Sequence, residues 1–207
     1  MLRVLLWQRA KEPFAGRWAL PGGYLQTSQT LEQSIRQHLA AKVDVRELTH
    51  LEQLETRSDP RRNPGAWELA TAYLGLVPVE ADPVVPEDTR WLSAEPLSRT
   101  AFDHGEIVRS GLARLRAKLS YTNVGFALAP REFTLSELRE IYAAALGHEV
   151  SATNLHRVLV RRGVIEPTGA KREPGRTGGR PAALFRFRSR TLEVTDPFAV
   201  LRPPRSR

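Results

Sequence analysis

The sequence predicts two units in tandem: an α/β half with flanking helices, then a smaller half built as helix, helix and hairpin. Three observations predict this. Strand-like apolar runs alternate with amphipathic helices over the first 120 residues, the alternation stops near Tyr121, and the charge changes at the same place. Of a net +8 over 207 residues, residues 1–120 supply +1 (16 Lys and Arg against 15 Asp and Glu), and residues 121–207 supply +7 (15 against 8). The window 151–190 holds 10 against 2 and so carries +8 alone. Charge confined to one stretch points to a polyanionic partner, most simply nucleic acid.

The absence of cysteine removes disulfides, zinc fingers, iron–sulfur clusters and thiol nucleophiles. No apolar run approaches the roughly 20 residues of a membrane helix. Val4 to Trp7 is too short for a signal peptide's apolar region and has no small-residue cleavage site after it. The expectation is a cytoplasmic protein.

In chain order, Leu2 to Arg9 is a near-continuous apolar run and reads as a buried strand. Trp18-Ala-Leu-Pro-Gly-Gly23 reads as a short strand stopped by a turn. A helix is predicted from Thr30 to Lys42, with Leu31, Ile35 and Leu39 on one face and Thr30 at its cap. Leu48–Glu55 and Trp67–Val79 read as strands around a turn-rich segment from Arg57 to Gly65. Arg90–Leu92 is another short strand, and Glu106–Leu119 an amphipathic helix with Ile107, Leu112, Leu115 and Leu119 inward. A short helix is expected near Val124–Leu128. Thr134 and Glu137 then fit a capping box for a helix to Leu146, ended by Gly147. Ser151 caps a second helix, Ala152–Arg162, ended by Gly163. Val164–Glu166 and Ala183–Phe187 make two strands around a long Gly/Pro/basic tip.

The period of the second helix divides its faces. Leu155, Val158 and Leu159 share the inward side; Asn154, Arg157 and Arg161 share the opposite one, with Thr153 nearby. Arg can bond guanine bidentately and Asn adenine, and a helix–turn–helix reader presents its N-terminal residues to base edges. Ser151, Thr153, Asn154 and Arg157 are therefore candidates for DNA contact, while Arg161 and Arg162 are placed for phosphate. The hairpin tip holds Lys171, Arg172, Arg176 and Arg180, the composition of a wing along the backbone or in a minor groove. A solvated basic loop is the alternative for Gly179-Arg-Pro181.

Leu20-Pro-Gly-Gly-Tyr-Leu-Gln-Thr-Ser-Gln through Val45 resembles a Nudix box. The family pattern places Glu, Arg-Glu and Glu-Glu where this chain has Gln29, Gln37-His38 and Ala41-Lys42 after Gly23; Asp44 falls on its later Gly, with Leu39 and Val45 on its aliphatic positions. Every motif glutamate is missing. Nudix hydrolases hold Mg²⁺ through those carboxylates, and Gln, His, Ala and Lys replace neither their charge nor their geometry, so no hydrolysis and no metal are expected.

The full pattern resembles the Nudix-related transcriptional regulators of NAD metabolism, most closely those of actinobacterial type. It is carried by Pro13-Phe-Ala-Gly-Arg-Trp-Ala-Leu-Pro-Gly-Gly23, Ser58-Asp-Pro-Arg61, Ala101-Phe-Asp-His104, Phe133-Thr-Leu-Ser-Glu-Leu138, Asn154-Leu-His-Arg157 and Gly179-Arg-Pro-Ala182. The implied fold is an α/β Nudix-like mixed sheet with flanking helices followed by a C-terminal winged helix-turn-helix domain. Its expected divisions are 1–119, 120–196 and a tail at 197–207.

The resemblance implies a dimeric repressor of NAD synthesis or salvage genes, dimerised through the Nudix-like half. It would bind a palindromic operator in double-stranded DNA and be released by ADP-ribose or a related nucleotide. Arg9, Arg17, His38, Asp59 and Arg61 are candidates beside the diphosphate or ribose. Two departures bear on this. The chain begins at what looks like the family's second stretch of strand sequence, which predicts an exposed sheet edge or a partly open pocket, and Ala41 and Lys42 alter the pocket floor. Two other readings stay open: a Nudix half that is only a dimerisation scaffold, and a nucleotide-processing enzyme whose basic half holds RNA.

Overall fold

The computed structural model describes residues 1–81, 83–97, 99–173 and 181–196. The chain divides into two compact units, one of residues 1–77 and 81–114 and one of residues 78–80 and 115–207. No helix among the described residues is long and apolar enough to cross a membrane.

In the first unit β1 (Arg3–Gln8) lies between β2 (Trp18–Ala19) and β5 (Thr89–Ser93), antiparallel to both, with Leu5 opposite Trp91 and Trp7 opposite Ala19. A parallel bridge between Trp18 and Thr100 extends the pairing. The apolar run of β1 is continuous because both its faces are covered. Leu5 and Trp7 pack with Val43, Val45 and Leu39 from α1 (Leu31–Val43) and the segment after it. Leu2 and Val4 pack with Val108 and Leu112 of α2 (His104–Tyr121). β3 (His50–Arg57) and β4 (Ala70–Leu76) form a separate antiparallel hairpin with a bulge at Gln53/Glu55. β4 is shorter than its apolar sequence predicts: Trp67 and Leu69 precede it and are exposed.

The predicted inward face of α1 shifts by part of a turn. Leu31 stays exposed, whereas Ser34 and Val43 are buried and Ile35 and Leu39 half-buried. Its start is a capping box in which Thr30 accepts from the Gln33 N–H and Gln33 reaches back to Thr30. Its end turns through Asp44 at φ 51°. That left-handed position explains why the Nudix pattern has glycine there, and Asp is among the few residues that tolerate it.

In the second unit a 3₁₀ turn at Val124–Ala127 leads to α3 (Leu135–Leu146), capped by Thr134 and Glu137 and stopped by Gly147 at φ 80°. Ser151 caps α4 (Ala152–Arg161) by accepting from the Asn154 N–H. β6 (Ile165–Arg172) and β7 (Ala182–Phe187) are antiparallel. Phe133, just before α3, exchanges both backbone hydrogen bonds with Phe185 at 3.0 and 2.8 Å, adding a third rung to the hairpin. Phe126, Phe133, Leu138, Leu159 and Ile165 form its buried centre. Truncating such a residue to Ala costs about 2–5 kcal/mol.

Candidate nucleic-acid interface and effector site

α4 buries Leu155 and Leu159 and leaves Thr153, Asn154, Arg157 and Arg161 exposed. The Asn154 amide oxygen accepts from the Arg157 guanidinium at 2.8 Å, so the two candidate readers sit side by side on one turn. Arg161 has neither a hydrogen bond nor an ion pair among the described residues. With no acidic residue in its first turn, α4 keeps the positive end of its dipole uncompensated, which favours an anion there. The Ser151 hydroxyl oxygen is occupied by the cap.

Arg162 is turned otherwise. Its guanidinium is half-buried and donates to the Thr122 carbonyl at 2.9 Å and to the Thr195 hydroxyl at 2.5 and 3.0 Å, with burial lowering its pKa. It clasps two segments of its own unit through Nε and Nη2, so those donors are not turned to the phosphate contact expected of it. In the hairpin, Lys171 is exposed, while Arg172 pairs with Glu137, the acid of the α3 capping box. Arg176 and Arg180 lie outside the described residues. The hairpin's other cations, Arg186 and Arg188, share Glu166.

The effector candidates surround the turn Leu20–Gly23. The Trp7 indole donates to the Leu20 carbonyl at 3.2 Å, the Leu20 N–H donates to His104 Nδ1 at 2.9 Å, and Lys42 Nζ donates to the Gly22 carbonyl at 2.5 Å. The His38 ring contacts the Tyr24 carbonyl at 3.1 Å and fills the space a Cβ on Gly23 would need, so a side chain there would have to displace that ring. Burial pushes the His104 imidazole down to about 4, leaving it neutral to accept the turn's N–H.

Arg9 and Arg17 come together because the Arg9 N–H donates to the Arg17 carbonyl at 3.0 Å. The Arg9 guanidinium stacks 4.7 Å from the Phe102 ring centre and Arg17 lies 5.6 Å from that of Phe14. Phe14 and Phe102 meet edge to face at 4.9 Å, both at positive φ, 68° and 50°. Non-glycine residues held there store strain and cluster at functional sites.

Asp59 and Arg61 form a separate exposed turn in which the Arg61 N–H donates to the Asp59 carboxylate at 2.8 Å. Its neighbour Arg62 is the buried cation, paired with Asp103 at 2.9 Å; Arg57 reaches the other Asp103 oxygen at 2.9 Å. Burial raises the Asp103 pKa, but the Arg62 hydrogen bonds and the two guanidinium charges outweigh it and hold the carboxyl below its usual range. Sequence reasoning missed this pair because 41 residues separate its members.

The donor set does not fit a Nudix metal. Gln29 and Gln37 bond to each other, His38 is packed on the glycine turn, Ala41 has no donor, and Lys42 projects an ammonium to Gly22. No group of three or more His, Asp or Glu among the described residues is arranged to hold a metal.

The Nudix domain family matches residues 2–111, and the NrtR DNA-binding winged helix domain matches residues 125–187. Over 203 residues the chain is 32% identical to the ADPR responsive transcriptional repressor NtrR of Acinetobacter baylyi, covering 95% of this chain and 80% of that one. It is similar to Shewanella oneidensis NrtR in a crystal structure complexed with a 27mer DNA, with TM-score 0.78, 32% identity and coverage of 90% and 86% of the two chains. A second crystal structure of Shewanella oneidensis NrtR gives 0.76, 31%, 90% and 87%. A MutT/nudix family protein from Enterococcus faecalis, 22% identical with TM-score 0.65 and coverage of 90% and 79%, shares the fold.

Proposed function

The chain belongs to the Nudix-related transcriptional regulators, and on that premise we propose that it is a DNA-binding repressor whose Nudix domain senses ADP-ribose or a related nucleotide. The carrying observation is the exposed face of α4, where Asn154, Arg157 and Arg161 stand free of carboxylates on a capped helix of a winged-helix unit. Thr153, Asn154 and Arg157 read base edges. Arg161 and Lys171, with Arg176 and Arg180 of the wing tip, hold phosphate, and Arg162 supports the unit from inside. The regulated genes are those of NAD synthesis or salvage, a reading supported by the family resemblance.

A repressor of this family works as a dimer on a palindromic operator in double-stranded DNA. The exposed Tyr24, Trp67 and Leu69, joined through the Tyr24 hydroxyl's 2.7 Å bond to Glu68, are the apolar surface in the Nudix unit where self-association is to be sought. For release, the effector must bind the DNA-free form better than the DNA-bound form. Arg9 and Arg17, beside the Phe102 and Phe14 rings, are the ligand contacts the geometry favours, with His38 shaping the turn; Asp59 and Arg61 rank behind them. Without carboxylates at the box positions the domain does not hydrolyse its ligand.

Selection of bound duplexes from a random pool, repeated with ADP-ribose present, tests this. Enrichment of an inverted repeat that ADP-ribose suppresses is the expected result. Enrichment of no sequence would overturn the DNA-reading role, and ADP-ribose turnover with Mg²⁺ at a hydrolase-like rate would overturn the inactive sensor.

A further inference from the structure

The box position that departs furthest from the Nudix pattern is Lys42, where a carboxylate is replaced by a cation. Its Nζ spends one of three N–H donors on the Gly22 carbonyl at 2.5 Å and lies 5.0 Å from the Trp7 ring centre. No carboxylate among the described residues pairs with Lys42, Arg9 or Arg17, whereas Arg36, Arg46, Arg57, Arg61, Arg62 and Arg114 of the same unit each have one. Burial first, and then the nearby Arg9 charge, lower the Lys42 pKa. Both cations border the Leu20–Gly23 turn: Lys42 reaches it at Gly22, while Arg9 stacks on Phe102, whose ring lies 5.4 Å from His104, the acceptor of the Leu20 N–H, so an anion at this turn would meet both.

We propose that the Lys42 ammonium, together with the Arg9 guanidinium, supplies the positive charge that Mg²⁺ supplies in a Nudix hydrolase, so that this site binds the diphosphate of a nucleotide without any divalent cation. The inference rests on the sensor reading above and adds the chemistry by which the loss of the metal site leaves binding intact. Diphosphate oxygens meet two fixed cations beside a turn held by Trp7 and His104. The neutralising charge is then part of the chain and positions no water for attack.

The test is calorimetric titration of the full-length protein with ADP-ribose, once in EDTA and once in Mg²⁺, using the native chain, Lys42→Met, Arg9→Met and Lys42→Arg. Expected are equal affinities in the two buffers for the native chain and a loss of about 10- to 100-fold for Lys42→Met and for Arg9→Met, the worth of a hydrogen bond to a charged group. Lys42→Arg should recover most of the affinity, and the melting temperature of each variant separates loss of charge from loss of fold. Binding that needs Mg²⁺ overturns the metal-free site while leaving the sensor reading standing, as does full affinity in folded Lys42→Met. Absence of ADP-ribose binding in both buffers overturns the sensor reading and this inference with it.

Discussion

The carboxylate-paired arginines of the Nudix unit and the arginines on α4 are the same side chain in opposite states of compensation. Arg36, Arg46, Arg57, Arg62 and Arg114 each have a carboxylate within 3.3 Å, and Arg62 and Asp103 are nearly enclosed. On α4, Arg157 touches only the neutral Asn154 and Arg161 has no counter-ion among the described residues. A paired guanidinium serves the fold; an unpaired one on a rigid helix has its donors open to a polyanion. The contrast also places two residues against their surroundings. Arg162 behaves like a structural arginine inside the winged-helix unit, and Lys42 stands without a carboxylate partner inside the Nudix unit.

The largest effect expected is on the paired side. Asp103→Ala leaves Arg57 and Arg62 partly enclosed without their shared anion and should cost about 3–5 kcal/mol in urea unfolding. A loss under about 1 kcal/mol would show that the pair contributes little and break the comparison.

His104 comes next. Its folded pKa of about 4 lies below the ordinary 6.5, so the unfolded chain takes up a proton first as pH falls. Its contribution is complete above about 6.5 and is lost progressively towards 4, amounting to about 3 kcal/mol at most. Unfolding curves between pH 7 and 4.5 should show this decline, and His104→Gln should flatten it; an unchanged slope in that variant would assign the decline elsewhere.

On the unpaired side, Arg157→Ala should leave the melting temperature alone and weaken operator binding by about 1–3 kcal/mol, with specificity relaxed at one base pair. If it unfolds the protein, its role is structural and the contrast fails. Lys171→Ala should have the smallest effect, a uniform weakening on all duplexes that lowers the salt slope by about 1. Gel shifts at several salt concentrations on specific and random DNA separate the two variants.

How far these roles are legible in the sequence differs between the units. Helix caps are local signals, and Thr134 with Glu137 and Ser151 before Asn154 announce α3 and α4 at the observed residues. The two faces of α4 follow from its period for the same reason. Leu31 misled because a four-residue repeat drifts around a helix of 3.6 residues per turn, leaving its first member off the buried stripe. Trp67 and Leu69 misled because apolar composition does not say whether a backbone finds a pairing partner. The Arg62–Asp103 pair and the meeting of Phe14 with Phe102 depend on segments brought together from far apart in the chain. Lys42 is legible as a lost carboxylate, but its bond to Gly22 and its place over Trp7 required coordinates.

The doubled backbone bond between Phe133 and Phe185 ties the entry of α3 to the second strand of the wing. Because Phe133 is also fully buried, neither strand of that rung can come away without uncovering the core. Amide exchange at these two residues should therefore match the slowest in the C-terminal unit, and the helices and wing should open together as one cooperative element. A winged-helix unit that opens only as a whole keeps α4 and the strands β6 and β7 at a fixed spacing whenever it is folded, so that spacing is set before DNA is met.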